Sequence, residues 1–349
     1  MASATMLHIG TPRGLYVASK PGTSPQWRIT KHTLAGRPVI ALALGTELPV
    51  RMAAVVPQMG VFHSTNGGRE WMLTLPLDVT VLLADPNRPD RLFAGLSHPD
   101  RVQADHAAGG PGEPGNVLVS EDGGVSWHTL PALPVAATRV LSLALTGGSW
   151  DDPGRRLWAG VESGGVLYST YSNAHWQGLR LGLRTKVAVT ALATTGGEDT
   201  DLFAATSVGI YRLQPGLRST DTEWKGTSRV WRLPATPTPT GVRQLVALGR
   251  VQHPARPAAA LLARDAMGHL WRGEDGSGGW TGLDLVPASG SDPDLAVTAL
   301  AAHPDYPDRA YAGTRGGRIF ETRNRGTSWE DLGLAVEGDV RALAVLVVK

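Results

Sequence analysis

Short apolar runs recur along the chain, each bounded by glycine, proline or aspartate. Six of them lie at residues 39–44, 79–84, 140–145, 187–192, 242–247 and 295–300. Their length and composition are typical of strands that are buried on both faces. Each run is followed by two further strand-like segments and then by a polar turn that leads to a tryptophan. The pattern therefore predicts a repeating unit of four strands.

The chain ends supply the parts of one more unit. Residues 6–10, 14–17 and 27–30 give a second, third and fourth strand, and residues 339–346 give a first strand. A four-stranded antiparallel unit of about 40 to 60 residues is typical of a propeller blade. We therefore predict an all-β, seven-bladed β-propeller of four-stranded antiparallel blades, closed by pairing of the C-terminal strand with the N-terminal strands. A generic all-β sandwich is the alternative.

The predicted propeller is a single domain that spans residues 1–349. Its blades are expected at 37–76, 77–134, 138–183, 186–234, 241–286 and 295–335, with the seventh formed by 339–349 and 6–30. A solenoid would need capping ends, which the sequence lacks.

Composition narrows the function classes. The 349 residues are 42% hydrophobic, with a net charge of only +2 and no cluster of Lys and Arg, which argues against nucleic-acid binding. The absence of cysteine excludes disulfides, a thiolate nucleophile and a cysteine-based zinc site. No apolar stretch approaches the length of a membrane span. Without a visible signal peptide we expect a cytoplasmic protein, or a secreted one if a leader was removed.

The turn before the tryptophan is best defined at three places. Its candidate structural residues are Ser64, Asn66, Gly68 and Trp71; Ser120, Asp122, Gly124 and Trp127; and Thr322, Asn324, Gly326 and Trp329. Small polar side chains accept bonds from turn amides, and glycine allows a tight hairpin. The tryptophan buries its ring beneath the turn. We interpret the motif as structural, in preference to a role for Asp122 as a metal ligand or an acid.

This motif resembles the Asp-box, or bacterial neuraminidase repeat (BNR), of a family of propellers. Residues 85–95 and 303–313 resemble the first-to-second strand connection of the same family. The family includes sialidases, xyloglucan-cleaving glycosidases, sortilin-type receptors and a photosystem II assembly factor. The resemblance implies that a ligand meets the face built by the second-to-third and fourth-to-first connections, opposite the boxes.

Eight residues on that face are candidate ligand-binding residues. They are Arg13, Glu162, Arg264, Asp265 and Arg315 in second-to-third connections, and His98, Asp100 and Arg101 in an insertion over 97–115. Arg13, Arg264 and Arg315 fall in similar positions of three consecutive blades, where their guanidinium groups could hold a carboxylate, phosphate or sulfate. Solvated loop arginines are the alternative. His98 and His106 with Asp100 and Asp105 could bind a metal, although a polar loop without a metal is favoured.

Two functions remain open. A non-catalytic scaffold that binds a protein or peptide is favoured, because a sialidase-like site needs a tyrosine on the ligand face and none is predicted there. The alternative is a glycan-active protein, either a glycoside hydrolase or a lectin-like binder. The resemblance places the xyloglucanase cleft between two propellers, and this chain encodes one. We expect no catalytic residue, cofactor or metal, and a partner that is a protein, a peptide, a glycan or a small anion.

Overall fold

A computed structural model describes most of the chain. The described residues are 4–20, 26–45, 49–97, 116–135, 138–146, 155–170, 175–178, 187–195, 201–213, 230–232, 239–248, 259–274, 279–286 and 292–348. Of the candidate ligand-binding residues, His98, Asp100 and Arg101 lie outside these ranges. The other five lie within them.

The strands form seven antiparallel sheets of four, which confirms the predicted fold. Blade 1 is β4 (Ala41–Leu44), β5 (Met52–Val56), β6 (Gly60–Ser64) and β7 (Met72–Leu75). Blade 2 is β8 (Val79–Asp85), β9 (Arg88–Leu96), β10 (Val117–Ser120) and β11 (His128–Thr129). Blade 3 is β12 (Val140–Thr146), β13 (Arg156–Val161), β14 (Val166–Thr170) and β15 (Trp176–Gly178). Blade 4 is β16 (Val189–Thr194), β17 (Leu202–Thr206), β18 (Gly209–Leu213) and β19 (Val230–Arg232).

The remaining blades follow the same order. Blade 5 is β20 (Val242–Leu248), β21 (Ala260–Asp265), β22 (Leu270–Glu274) and β23 (Thr281–Leu283). Blade 6 is β24 (Val297–Ala302), β25 (Ala310–Thr314), β26 (Arg318–Thr322) and β27 (Glu330–Ala335), preceded by a short 3-10 helix, Pro293–Leu295. Blade 7 combines β28 (Ala342–Val348) with β1 (Ala4–Thr11), β2 (Gly14–Ser19) and β3 (Arg28–Thr33).

The ring is closed by strand pairing between the chain ends. β28 pairs with β1 in one continuous antiparallel register, from Ala4 opposite Val348 to Gly10 opposite Ala342. The terminal strands therefore hydrogen-bond within one sheet, and no strand edge is left at the junction.

Each apolar cluster lies in a seam, by which we mean the interface between two neighbouring blades. One cluster joins Val55 and Leu75 of blade 1 to Leu92 and Leu118 of blade 2, and clusters of the same kind fill the other seams. Burying apolar surface stabilises the fold by about 25 cal/mol per Å². Contacts between blades therefore hold this protein together.

Glycines near the end of second strands allow the closest approach between blades. A Cβ atom at Gly95 would lie 2.7 Å from Cγ1 of Val140, and one at Gly313 would lie 2.3 Å from Cγ1 of Val340. Real Cβ atoms do not come so close to a neighbour. Val140 begins the innermost strand of blade 3 and Val340 lies two residues before that of blade 7, so the glycine sets the spacing of the seam.

The ring has two chemically distinct ends. We call the end that carries the first-to-second and third-to-fourth connections the box face, because the Asp-box-like hairpins lie there. The opposite end, which carries the second-to-third and fourth-to-first connections, is the loop face. Within the described ranges, the structure has no helix with the length and apolarity of a membrane span.

Candidate functional site

The box residues are occupied by bonds within their own hairpins. The Ser64 hydroxyl accepts a hydrogen bond from the Gly68 amide at 2.9 Å and donates to Oδ1 of Asn66 at 3.0 Å. The same Oδ1 accepts from the amides of Arg69 and Glu70, both at 3.0 Å. These bonds satisfy the turn amides, as the sequence motif predicts.

The other two complete boxes repeat this pattern. The Ser120 hydroxyl accepts from the Gly124 amide at 2.8 Å, and the Thr322 hydroxyl accepts from the Gly326 amide at 2.9 Å. Partial burial raises the pKa of Asp122, but hydrogen bonds from Ser126, Ser120 and Val125 outweigh it and leave the pKa below its usual value. The carboxylate is thus held ionised by its turn.

The box hairpins also bind the preceding blade. Trp71 Nε1 of blade 1 donates to the Thr33 hydroxyl of blade 7 at 2.9 Å, and Lys31 Nζ of blade 7 donates to the Gly67 carbonyl at 2.7 Å. In the seam between blades 5 and 6, Arg272 Nε donates to the Arg325 carbonyl at 2.8 Å. The boxes therefore link blades as well as shaping hairpins.

Buried arginines at the box face are neutralised by carboxylates. Arg91 pairs with Glu121 at 2.7 Å, and Arg212 pairs with Asp201 at 2.7 Å. Buried Arg155 pairs with Asp85 of the neighbouring blade, and the half-exposed Arg323 pairs with the buried Glu321. A buried charge is costly unless it is paired, and at this end of the ring the pairing is made within the protein.

Arginines at the loop face are arranged differently. In the part of the chain that the structure describes, Arg13, Arg243, Arg264 and Arg315 make no ion pair. They lie in blades 5, 6 and 7, which are neighbours in the ring. Arg341 of blade 7 has only a long contact with Asp339, at 3.6 Å. The loop face therefore carries guanidinium groups with unused donors.

The three arginines that the sequence predicts at similar positions differ in the structure: two lie in turns and one lies in a strand. Arg13 and Arg315 are exposed in the turns after β1 and β25. Arg264 instead lies inside strand β21, where its side chain is only partly exposed. Asp265 closes its turn as Thr11 and Thr314 close theirs, so Arg264 precedes the turn, whereas Arg13 and Arg315 follow the closing residue and lie in the turn.

The two acidic candidates have different surroundings. Glu162 is exposed in the turn after β13, where its amide donates to the Arg139 carbonyl at 3.0 Å. Asp265 closes its own turn: Oδ1 accepts from the amides of Met267 at 2.9 Å and His269 at 3.0 Å. Its Oδ2 contacts His269 Nδ1 at 2.8 Å.

The pKa of Asp265 reflects this turn. Partial burial raises the pKa, while hydrogen bonds from His269 and Trp271 outweigh it and lower the pKa. In blades 4 and 7 a threonine hydroxyl replaces the carboxylate, since Thr206 and Thr11 accept from the amides of Val208 and Arg13. Turn closure therefore accounts for the contacts of Asp265.

A ring of equivalent residues surrounds the loop-face mouth of the central channel. Each follows the first valine of an innermost run: Ile40, Thr80, Leu141, Thr190, Arg243, Thr298 and Arg341. In blades 2 to 6 this residue lies at a β-bulge. The threonine hydroxyls of Thr80 and Thr190 donate to the carbonyls of Val140 and Val242 in the next blade. Arg243 and Arg341 carry exposed charges at the same place.

Sequence reasoning missed Arg243 and Arg341. Both stand directly after the first valine of an innermost run, at a position where the other blades have Ile, Leu or Thr. A comparison of that one position across the seven repeats finds them. The hydrophobicity of the runs alone does not reveal these residues.

A tyrosine–carboxylate pair, of the kind that a sialidase-like site uses, is found away from the loop face. Among the described residues, Tyr311 and Glu321 form a tyrosine–carboxylate hydrogen bond of 3.1 Å, but both side chains are buried and lie at the box end of blade 6. Burial and the Glu321 charge raise the pKa of Tyr311. No cluster of three His, Asp or Glu residues in the described ranges could hold a metal ion.

Known proteins resemble this chain in structure. No family model and no curated protein sequence matches it. An ancestral GH74 enzyme superposes with a TM-score of 0.60 at 15% identity, over 93% of this chain and 46% of that one. The GH74 xyloglucanase from Xanthomonas campestris gives 0.59 at 18%, over 93% and 52%. YCF48 bound to D1 peptide gives 0.51 at 14%, over 86% and 83%.

These similarities show the fold. The chain spans about half the length of the GH74 structures that it matches. The neighbours include both GH74 glycosidases and a protein bound to a peptide, so shared architecture does not choose between the two functions. The chain is a seven-bladed β-propeller whose structural neighbours are GH74 and YCF48 propellers.

Proposed function

We propose that this protein is a non-catalytic binding module that holds an acidic segment of a partner protein or peptide on its loop face. The observation that carries the proposal is a group of four arginines without an ion pair in three neighbouring blades of the loop face. Arg13, Arg243, Arg264 and Arg315 make no ion pair with any described residue, and Arg264 is partly buried, whereas buried Arg91 and Arg155 at the box face are paired with carboxylates. Guanidinium groups with free donors bind carboxylates in bidentate geometry.

The loop face offers these arginines on a rigid support. The Val297 amide donates to the Gly268 carbonyl at 2.8 Å, which links blades 5 and 6, and the Arg341 amide donates to the Gly10 carbonyl at 2.7 Å within blade 7. The Gly36 amide donates to the carbonyl of Arg13 itself at 2.8 Å. A surface that is ordered before binding loses less entropy when a ligand arrives.

Apolar side chains are also exposed in turns of the loop face. Met267 is 70% exposed at the tip of the β21–β22 turn, and Val208 is 47% exposed at the equivalent tip of blade 4. Met59 is 41% exposed in blade 1. Exposed apolar and arginine side chains together are typical of protein-binding surfaces. A structural neighbour, YCF48, has been solved with a peptide, which supports a peptide partner.

A glycan-active protein is the second candidate, because GH74 enzymes share the fold. Its support is weaker. The tyrosine–carboxylate pair of Tyr311 and Glu321 is buried away from the loop face, and Asp265 is engaged in its own turn. The structural match covers only about half the length of each GH74 structure.

Charge-matched double variants test the proposal. Arg13→Gln with Arg315→Gln removes two loop-face charges, while Arg69→Gln with Arg88→Gln removes two exposed charges from the box face. Binding of fluorescein-labelled Asp/Glu-rich and Lys-rich decapeptides is followed by anisotropy at about 0.05 M and about 0.3 M salt, since screening weakens exposed charge contacts. We expect the acidic peptides alone to bind, with affinity at least roughly tenfold lower in the loop-face variant.

The opposite results would contradict the proposal. Equal losses in the two double variants would mean that peptide binding follows net charge and no particular face. Hydrolysis of a panel of aryl glycosides, without binding of acidic peptides, would favour the glycan-active candidate.

A further inference from the structure

The seam between blades 5 and 6 differs from the others at one position of the second strand, where the other blades have glycine, alanine or valine. The residue of the second strand that lies opposite the third position of the innermost run is Gly10, Val55, Gly95, Gly160, Ala205, Arg264 or Gly313 in the seven blades. Only blade 5 has a charged residue there. Arg264 therefore occupies a place where Gly95 and Gly313 lie against a valine of the next blade.

Two neighbours of Arg264 depart from the pattern as well. Its partner across the strand pair is Gln244, where blades 1, 4, 6 and 7 have alanine. The bulge residue beside it is Arg243, where blades 2, 4 and 6 have threonine. Three large polar residues thus replace small ones at the mouth of the blade 5–6 seam.

Gln244 spans this seam. Its Nε2 donates to the Leu300 carbonyl of blade 6 at 2.7 Å, and its Oε1 accepts from the Leu300 amide at 2.9 Å. Arg264 Nε donates to the same Oε1 at 3.3 Å. The amide bridge fixes one edge of the guanidinium group and leaves both terminal amino groups without an acceptor among the described residues.

The surroundings of Arg264 are cationic. Burial and the nearby Arg243 charge lower the pKa of Arg264 to about 10. The nearest carboxylate in sequence, Asp265, raises the pKa but is bound to Met267 and His269 and makes no ion pair with Arg264. A partly buried cation beside a second cation is unfavourable unless an anion joins them.

We propose that Arg243 and Arg264 form a carboxylate-binding site at the loop-face mouth of the seam between blades 5 and 6. A planar carboxylate fits the free edge of a guanidinium group, which donates two parallel hydrogen bonds. The carboxylate comes from a peptide C-terminus or from a small organic acid. The site deepens the proposed function, on which it rests, by assigning one acidic group of the ligand to named residues.

Blade 4 supplies a design for removing the site without disturbing the fold. The triple variant Arg243→Thr, Gln244→Ala and Arg264→Ala introduces into blade 5 the residues found at Thr190, Ala191 and Ala205. Because the ring already accommodates this set, we expect the variant to fold and to melt at or above the wild-type temperature. Arg264→Ala alone serves as a second variant that keeps the Gln244 bridge.

The test uses four probes on the whole chain, with binding measured by calorimetry and by the shift in melting temperature. They are N-acetyl-alanyl-leucine with a free carboxylate, its C-terminal amide, sodium acetate and inorganic phosphate. We expect the free acid to bind at least roughly tenfold more tightly than the amide, since charge-assisted bonds are the stronger ones. The triple variant and Arg264→Ala should both lose this difference in affinity, and the Arg13→Gln/Arg315→Gln variant should keep it.

Each outcome bears on the inference. Equal binding of acid and amide, or a folded triple variant that keeps the preference, overturns the site. Phosphate binding tighter than acetate overturns the choice of a carboxylate. If acetate binds as tightly as the dipeptide, the ligand is a small organic acid. If acetate binds weakly, the ligand is a peptide C-terminus. If acidic decapeptides still bind through Arg13 and Arg315 while the dipeptide does not, this inference fails and the proposed function stands.

Discussion

The glycine that faces the ring-closing strand gives a sharp test of how blades are held together. We consider Gly313→Ala in β25, which would place a Cβ atom 2.3 Å from Cγ1 and 2.6 Å from Cβ of Val340. A rotation of the valine side chain moves Cγ1 but leaves Cβ in place. Relief therefore requires the start of β28 to move away from blade 6.

The expected loss follows from overpacking. Forcing an additional methyl group into a packed core costs about 1–3 kcal/mol, and the immovable Cβ contact places Gly313→Ala toward the upper part of that range, at about 2 kcal/mol. At roughly 2.1 cal/mol/K per residue, the 349 residues give an unfolding entropy of about 0.7 kcal/mol/K. The melting temperature should therefore fall by about 3 °C.

The assay is thermal unfolding followed by tryptophan fluorescence, with two comparisons. Gly279→Ala is the control, because nothing lies within 4 Å of the added Cβ, and it should leave the melting temperature unchanged or slightly higher. The double variant Gly313→Ala with Val340→Ala removes the Cγ contacts and should recover part of the loss. A melting temperature for Gly313→Ala within about 1 °C of the control would refute the argument that this seam has no spare room.

Further predictions concern hydrogen bonds and protonation. Thr190→Val removes the hydroxyl bonds to the Val242 and Ala205 carbonyls and should lower the free energy of unfolding, measured by denaturant titration, by about 1 kcal/mol. Thr298→Val should cost less, because the Thr298 hydroxyl donates only to the Gly313 carbonyl within its own blade. Burial, aided by the Lys31 charge, lowers the pKa of His8 from 6.5 to about 4. The unfolded chain then binds more protons, so stability is full above pH 6.5 and falls by about 3 kcal/mol as the pH approaches 4; His8→Leu should flatten this pH profile. Hydrogen bonds lower the pKa of the Asp122 carboxyl in the folded protein. The ionised carboxylate therefore stabilises the fold above the pKa of the unfolded chain, and this stabilisation is lost as the pH falls through the pKa of the folded protein. An Asp122→Asn variant that loses as much stability in acid as the wild type would contradict this.

Blade count and ring closure could be predicted from the sequence because they depend on local patterns. Four strands per unit follow from apolar runs separated by glycine-rich turns, and the unmatched strand at 339–346 has only the N-terminal strands as partners. The hairpin bonds of Ser64 and Asn66 also follow locally, since donor and acceptor lie within four residues of each other.

The candidate site depended on register, which turn length controls. The sequence predicts Arg264 in a turn with Arg13 and Arg315, but the turn is closed by Asp265, which follows Arg264, so Arg264 lies in the strand, opposite Gln244 in a seam. A shift of one or two residues decides whether an arginine meets solvent or a neighbouring blade.

By itself the sequence determined the repeat and the chemistry of each hairpin, because both are carried by residues close together in the chain. It also determined the closure, because the C-terminal strand is left without a partner except the N-terminal strands. The tertiary structure alone decided which arginines are neutralised and which are left with free donors. Ion pairs such as Arg155 with Asp85 join residues of different blades, and bridges such as Gln244 to Leu300 cross a seam. The spacing of residues within one repeat does not predict contacts between blades. These contacts decide which side chains remain available to bind a ligand.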